Sequence, residues 1–450
     1  MKQIILSTIL MLVSGQFLFS QENTAMSLSL RQCVQIAVEE NINIKTARID
    51  TEKSQHKKAE AISAIIPKIN VGANFQDNLV IPTTMLPGEI IGMPRTTVPV
   101  QMGTQFNTSA NVTVSWALYN QTALTAIQLS EKVTRLKDLS IEKASEELCS
   151  EVAKLYFLAV TTFQQKDLIE ENISRTKRIQ NITKILVDNG MGKQVDYDRV
   201  CINLDNLYTQ LSNVEASLEQ QHNMIKYMLN IPLEKNIFLT DTSEIWLLLN
   251  VTSVTSDFSN HIDIRLLELQ QEINHTNQKM VNSGYLPTVS FTGQYAYQGM
   301  RKEFRNYFND SPENKWFKSS YIGFGVSIPI FDGFEKRSKS RQAKMEIHKT
   351  EALLFDKTER FTADFQNAVN NYQNNKANVE RQKQNIALAE RVYDETALKF
   401  HEGLASMTGL LQDEMSLSSA QANYLTALYN YREAEIKIMS LNGEISSLYK

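Results

Sequence analysis

Three observations predict an α+β membrane protein. In it, long antiparallel helices form a coiled-coil barrel, four strands per protomer enter a transmembrane β-barrel, and the plan is repeated in tandem. First, the 450 residues hold only 9 Pro and 16 Gly, and these cluster. Thr104 to Asn189 and Phe334 to Glu402 contain neither, so neither stretch has the tight turns a compact enzyme needs. Second, four short segments alternate strictly between apolar and polar residues. Third, segments recur at a nearly constant offset. Chain length alone suggests about three domains, and the Gly/Pro-free stretches argue against compact ones.

Composition removes several function classes. Lys+Arg 46 against Asp+Glu 50 gives a net charge of −4, so there is no bulk basic character for nucleic acid. A 42% hydrophobic content is too high for a disordered chain. No apolar run of about 20 residues follows the N-terminus, which argues against membrane-crossing helices. The N-terminus reads as a secretory signal over residues 1–20. Lys2 is its charged region, Ile4 to Val13 its apolar stretch, and Ser20 a small residue before Gln21. The apolar stretch is too short for an anchor, and no Cys near the junction offers a lipid attachment site.

In chain order, Leu28 to Ile66 reads as one helix, with Leu30, Val34, Ala37 and Val38 on one face, stopping at Pro67. Ile69, Val71, Ala73 and Phe75 then alternate with Asn70, Gly72, Asn74 and Gln76, the mark of a two-faced strand. Residues 80–104, with four Pro and three Gly, read as a long loop. A second strand sets Phe106, Ala110, Val112, Val114, Trp116 and Leu118 against Asn107, Ser109, Asn111, Thr113 and Ser115. Asn120 to Asn189 is helical for about 70 residues, or about 105 Å at 1.5 Å per residue. Gly190 and Gly192 break it, and a second helix runs from Val195 to Asn230.

The plan then recurs. Asn41 to Lys45 (NINIK) matches His261 to Arg265 (HIDIR), and Pro67 to Phe75 matches Pro287 to Tyr295, both at an offset of 220. Ser115 to Asn120 matches Ser327 to Asp332 at 212, the difference falling in loops, where length changes cost little. The third strand sets Val289, Phe291, Tyr295 and Tyr297 against Thr288, Ser290, Thr292 and Gln294. The fourth carries Ile322, Phe324, Val326, Ile328 and Ile330. The expected organisation is a signal over 1–20 and a first repeat over 21–231, with a strand hairpin at 68–118 and a helical hairpin at 120–230. A linker over 232–260 follows. The second repeat, 261–450, has its strand hairpin at 288–331 and helical hairpin at 334–442.

Phe365, Tyr372, Val379, Ile386, Tyr393 and Phe400 keep a seven-residue period, which implies supercoiled helix packing. In hydrocarbon no strand edge can stay unpaired, and a barrel needs about eight strands, so the strands must be shared among subunits. A dimer would give a barrel filled by its own side chains and a trimer a wider lumen. The small polar residues of the second face suit a water-filled lumen.

The tandem repeat, the strand-end motif Pro329-Ile330-Phe331-Asp332-Gly333 with its counterpart Ala117-Leu118-Tyr119-Asn120, and the tips at Gly190 and Gly403 resemble the TolC family of outer membrane efflux proteins over essentially the whole mature chain. The resemblance implies a non-enzymatic homotrimer in the outer membrane of a Gram-negative bacterium, reaching into the periplasm. It implies a 12-stranded barrel, outer membrane lipid around it, and passive passage of substrate. Partners would be a periplasmic adaptor and an inner-membrane pump of RND, ABC or MFS type, with no nucleic acid and no cofactor. The tip turns implied to dock the adaptor are Gly190, Gly192, Gly403, Leu404 and Ser406. The gate Asp of the founding type matches Asp196, but its Arg partner falls at Ala405, so that ion pair cannot form. The acidic ring of the founding type aligns with Gly409 and Gln412, neither charged. Asp413, one helical position away, is the candidate substitute, against the plainer reading of a solvated tip charge.

Other chemistry is weakly supported. Cys33, Cys149 and Cys201 are too widely spaced for a disulfide framework or zinc motif and read as packed hydrophobes. The six His are scattered. There is no phosphate loop, G-x-S-x-G or Cys-x-x-Cys, so no catalytic or metal residue is assigned. Arg301 to Lys318 reads as an aromatic extracellular loop. The competing readings are a periplasmic coiled-coil scaffold or adaptor with a soluble β-domain, and a surface adhesin.

Overall fold

The computed structural model describes residues 26–240, 258, 261–308 and 315–449. The expected signal and most of the expected linker lie outside these residues. The chain divides into two compact units. Their elements, in chain order, are β1 (Met26–Leu28), α1 (Leu30–Glu40), α2 (Ile42–Ser63), β2 (Lys68–Asp77), β3 (Thr83–Pro87), β4 (Thr97–Gln101), β5 (Phe106–Tyr119), α3 (Gln121–Asp188), α4 (Gln194–Met228), β6 (Ile237–Leu239), α5 (Ile262–Ser283), β7 (Thr288–Arg301), β8 (Trp316–Ser327), α6 (Glu335–His401) and α7 (Met407–Leu441).

The unit of Ile49–Leu139 and Leu266–Phe355 holds an antiparallel sheet in the order β2-β5-β7-β8. The period-2 pattern sets its register. Ile69 faces Val114 and Val71 faces Val112, while Asn70 faces Thr113 and Asn74 faces Ser109. The apolar row continues through Trp116↔Phe291 and Phe291↔Phe324. That face is open: Val71 is 79%, Ile322 76% and Phe324 71% exposed. A one-residue slip would put every one of these side chains on the polar face. A bulge between Ala117 and Tyr119 ends β5, and Trp116 Nε1 donates to the Ile65 carbonyl at 2.8 Å.

The strand-end motifs have a mechanical role. Asn120 Oδ1 accepts the Ala123 amide at 3.1 Å, and Asp332 Oδ2 accepts the Lys336 amide at 3.1 Å. Each caps the first turn of a long helix, which satisfies an amide that has no partner within the helix.

Three readings from sequence need correction here. Residues 80–104 are not all loop, because β3 and β4 form a hairpin with Met85↔Pro99 and Leu86↔Val98 paired. Isolated two-stranded ribbons have outer edges where Pro removes no ladder bond, and the β-branched Thr and Val residues around the prolines favour the extended form. The aromatic loop is shorter than 301–318: β7 runs through Arg301 and β8 begins at Trp316. The fourth strand ends at Ser327, so Ile328 and Ile330 lie beyond it; Pro329 between them has no N–H for a ladder.

Among the described residues, the unit of Met1–Arg48, Ser140–Arg265 and Asp356–Lys450 is mostly helical. Leu28 to Ile66 is not one helix but two, α1 and α2, divided at Asn41. The Asn41 amide donates to the Ala37 carbonyl, ending α1. Its side-chain Oδ1 accepts the Asn43 amide at 2.8 Å and its Nδ2 donates to the Met228 carbonyl at 2.8 Å. A single Asn thus closes one helix, opens the next and ties both to α4. β1 pairs in parallel with β6, two three-residue strands too short to show a period. Cys33, Val34, Cys149, Val152, Tyr156, Ile225 and Ile436 form the core. Burial there pushes the Cys149 thiol up to about 12, which suits a packed hydrophobe.

Candidate functional site at the hairpin tips

Both helical hairpins end in the same turn. Gly190 and Gly403 each have φ of +75°, a left-handed conformation that costs an L side chain about 1–2 kcal/mol. After Gly190 the amides of Met191 and Gly192 return to the Leu186 carbonyl at 2.8 and 2.9 Å. After Gly403 the amides of Leu404 and Ala405 return to the Lys399 carbonyl at 2.7 and 3.2 Å. These bonds satisfy carbonyls left open at a helix end. Gly192 is closely packed as well, since a Cβ there would stand 3.0 Å from Leu186 Cβ and 3.1 Å from the Val187 amide nitrogen, so its neighbours would have to give by a few tenths of an ångström. Met191 and Leu404, at the two turns, are 72% and 75% exposed.

The second tip restarts through Ser406, whose Oγ accepts the Gly409 amide at 3.1 Å. Gly409 therefore takes part in helix capping. Gln412 is exposed, Asp413 half-buried. Neither forms an ion pair among the described residues.

Asp196 lies in the first turn of α4, where a carboxylate complements the helix dipole. It pairs with Arg199 at 3.2 Å. Arg199 Nη1 also donates to Thr408 Oγ1 on α7 at 3.0 Å. The two tips are joined through Arg199, a residue the gate alignment passes over. The i,i+3 spacing of Asp196 and Arg199 was its sequence signal.

The more deeply buried group is Glu414, 3% exposed. Thr176 Oγ1 on α3 lies 2.7 Å from its Oε1, and Asn203 Nδ2 on α4 lies 3.5 Å from its Oε2. Around it, Asn172 Nδ2 donates to Ser418 Oγ at 3.2 Å, Arg175 donates to Asn172 Oδ1, and Arg175 stands over the Tyr393 ring. Burial pushes the Glu414 carboxyl above its ordinary value, against the opposing pull of Thr176 and Arg175. Apolar residues seal this joint: Ile179, Val200, Tyr393, Met407 and Leu410 on the tip side, and Leu417 one helical turn further along α7. The sequence signal for Glu414 was periodicity. Met407, Leu410, Glu414, Leu417 and Gln421 follow the 3-4-3-4 spacing of an inward helix stripe, and all five are buried.

Among the described residues, no three His, Cys, Asp or Glu side chains come together to hold a metal ion, and no helix is long and apolar enough to cross a membrane. The tips hold helices of the two hairpins together through Arg199 and Glu414.

The family model described as outer membrane efflux protein matches residues 33–230 and 258–444. Outer membrane protein TolC of Escherichia coli (strain K12) is 20% identical over 434 residues, spanning 93% of this chain and 83% of that protein. Two solved outer membrane proteins are similar in fold. The outer-membrane channel OprN aligns with a TM-score of 0.74 at 16% identity, over 92% of this chain and 90% of that one. VceC from Vibrio cholerae aligns at 0.73 and 13% identity, over 92% and 95%. The family match takes in both repeats, interrupted only between residues 230 and 258, and the chain belongs to the outer membrane efflux protein family.

Proposed function

We propose that three copies of this chain form a duct across the outer membrane and periplasm, through which substrates pass without chemistry. An inner-membrane transporter and a periplasmic adaptor would deliver them. The family membership supplies the class, an outer membrane efflux channel. The observation that carries the finer reading is the sheet. It has an exposed apolar face, a polar face, and outer strands β2 and β8 each paired on one side only. In hydrocarbon those two edges must find partners. Four strands from each of three copies would close a twelve-stranded barrel with the apolar face toward lipid and the row of Asn70, Asn74, Asn111 and Thr113 toward water.

On this reading the helical unit supplies the periplasmic wall, and its hairpin tips are the gate and the adaptor-docking end. Gly190, Gly192, Gly403, Leu404 and Ser406 shape the docking turns. Asp196 acts in the gate through Arg199, while Gly409, Gln412 and Asp413 would line the narrow end without forming an ion pair. The test is electrical and biochemical. The mature protein should run as a heat-modifiable trimer from outer membrane fractions and conduct in planar bilayers. A monomer released by osmotic shock, with no conductance, would overturn the duct and favour a soluble scaffold.

A further inference from the structure

Glu414 sits where helices from both hairpins meet, and its hydrogen bonds contain a proton-counting conflict. Thr176 Oγ1 lies 2.9 Å from the Asn172 carbonyl on its own helix and 2.7 Å from Glu414 Oε1. A hydroxyl has one proton, so Thr176 can make only one full bond as donor; serving both acceptors means sharing that proton in a weaker three-centre bond. If Glu414 is ionised, its oxygens only accept, and Thr176 must share its proton with the Asn172 carbonyl or abandon that carbonyl to serve it. If Glu414 is protonated, its O–H donates to Thr176 Oγ1, and the Thr176 proton is free for the Asn172 carbonyl. Only the neutral acid makes each of the two short contacts a full bond.

The surroundings agree. Arg175 on α3 is a cation that draws Glu414 toward the charged form. Yet the Arg175 guanidinium donates to Asn172 and stands over Tyr393, and no ion pair to Glu414 forms among the described residues. From α4 the facing group is the Asn203 amide. From α6 it is Tyr393, whose hydroxyl burial pushes up and so keeps uncharged. A buried carboxylate without a cation is costly, and the group takes up a proton instead. Glu414 also borders a cavity of about 340 Å³ whose lining includes the polar side chains of Asn172, Asn203, Gln210 and Ser418, which gives the proton a way in and out.

We propose that Glu414 is a proton-operated clasp of the tip: neutral, it locks α7 against α3 and α4, and ionised, it loosens them. This rests on the tips being the gate of the duct. The sign follows from the neutral form being the packed one. A carboxyl whose value is raised on packing stabilises that packing fully below the ordinary carboxyl range. The stabilisation is lost as pH climbs through the raised value. Acid tightens the tip and alkali frees it.

The experiment compares the full-length protein with Glu414→Gln, a neutral side chain of the same shape that keeps both a donor and an acceptor. Amide hydrogen exchange is followed across the two tips, with variant and wild type compared at each pH so that intrinsic exchange cancels. At acid pH the two should match. Above the ordinary carboxyl value, wild-type tips should exchange faster than the variant, the ratio growing by up to about tenfold per pH unit. Tips that exchange alike in the two proteins at every pH would overturn the clasp. Conductance separates this from the duct. A pH-dependent difference in tip exchange without any conductance leaves the clasp standing and removes the channel. Conductance with the same pH course in both proteins leaves the channel and removes the clasp.

Discussion

Arg199 Nη1 on α4 lies 3.0 Å from Thr408 Oγ1 on α7, so the starts of the two restarting helices are joined by one side chain. Asp196 holds the same nitrogen at 3.2 Å and aims it. At this end of the helices, Ala405 has only a methyl group and cannot answer Asp196, and the link runs through a neighbour one helical turn along. Because Arg199 is half exposed, the contact is worth about 1 kcal/mol at most. Arg199→Ala should therefore raise resting conductance in planar bilayers by about fivefold or less and leave assembly unchanged. An unchanged resting conductance would remove Arg199 from the gate.

The tip turns should resist replacement. At Gly190, φ is +75° and space is open, so Gly190→Ala should cost only the backbone penalty, about 1–2 kcal/mol. At Gly192 a Cβ crowds Leu186 and the Val187 amide, so Gly192→Ala pushes on the turn itself and should shift its backbone by a few tenths of an ångström. Adaptor pull-down should fall further for Gly192→Ala than for Gly190→Ala.

Asn41 is a single point on which two helices depend. Asn41→Ala removes the cap on Asn43 and leaves the Met228 carbonyl without its 2.8 Å donor. Losses of this kind cost about 1–3 kcal/mol. A lowered Tm in detergent should report it, and Asn41→Asp should restore the cap but not the bond to Met228.

Acid should weaken the helical unit around α5. Burial alone would raise the Asp263 carboxyl, but Lys143 at 2.7 Å and Lys357 at 2.9 Å overcome it and hold the value below the ordinary one. Burial lowers the nearby His261 imidazole. Both groups bind fewer protons folded than unfolded, so each contributes stability above its ordinary value and loses it as pH falls through the depressed one. The His261 part should go first, below about pH 6.5. Tm measured against pH should fall on that side, and His261→Gln should flatten the upper part of the fall. Glu414 predicts the opposite sign at the tips, so local exchange should separate the two regions.

The two faces of the sheet should differ in tolerance. Val71→Arg puts a charge on the face assigned to lipid, at a cost of about 2–4 kcal/mol near the midplane, and should cut the yield of trimer in outer membranes. Asn74→Arg, on the other face of the same strand, should assemble normally and change conductance instead. Equal yields would contradict the assignment of faces.

Much of the fold was legible because its signals are local. Alternation from Lys68 to Gln76 foretells β2 to within a residue, since period 2 is a property of the strand itself. The Gly/Pro-free stretches foretell α3 and α6, and Asn120 and Asp332 stand out because capping needs an acceptor at that place. Other features were not legible. Nothing in Asn41 says that it faces Met228, 187 positions away, and the Pro-rich hairpin at 83–101 runs against the usual meaning of proline. Thus the sequence by itself determined the four main strands with their two faces and the long helices, because hydrogen bonding and side-chain period act over a few residues. Only the tertiary structure decided which side chains work at the tips. Aligned positions led to Gly409, Gln412 and Asp413. Helix packing instead brought Arg199 to Thr408 and sealed Glu414 against Thr176, because burial and partners are set by what lies across the interface, and that is encoded hundreds of residues away.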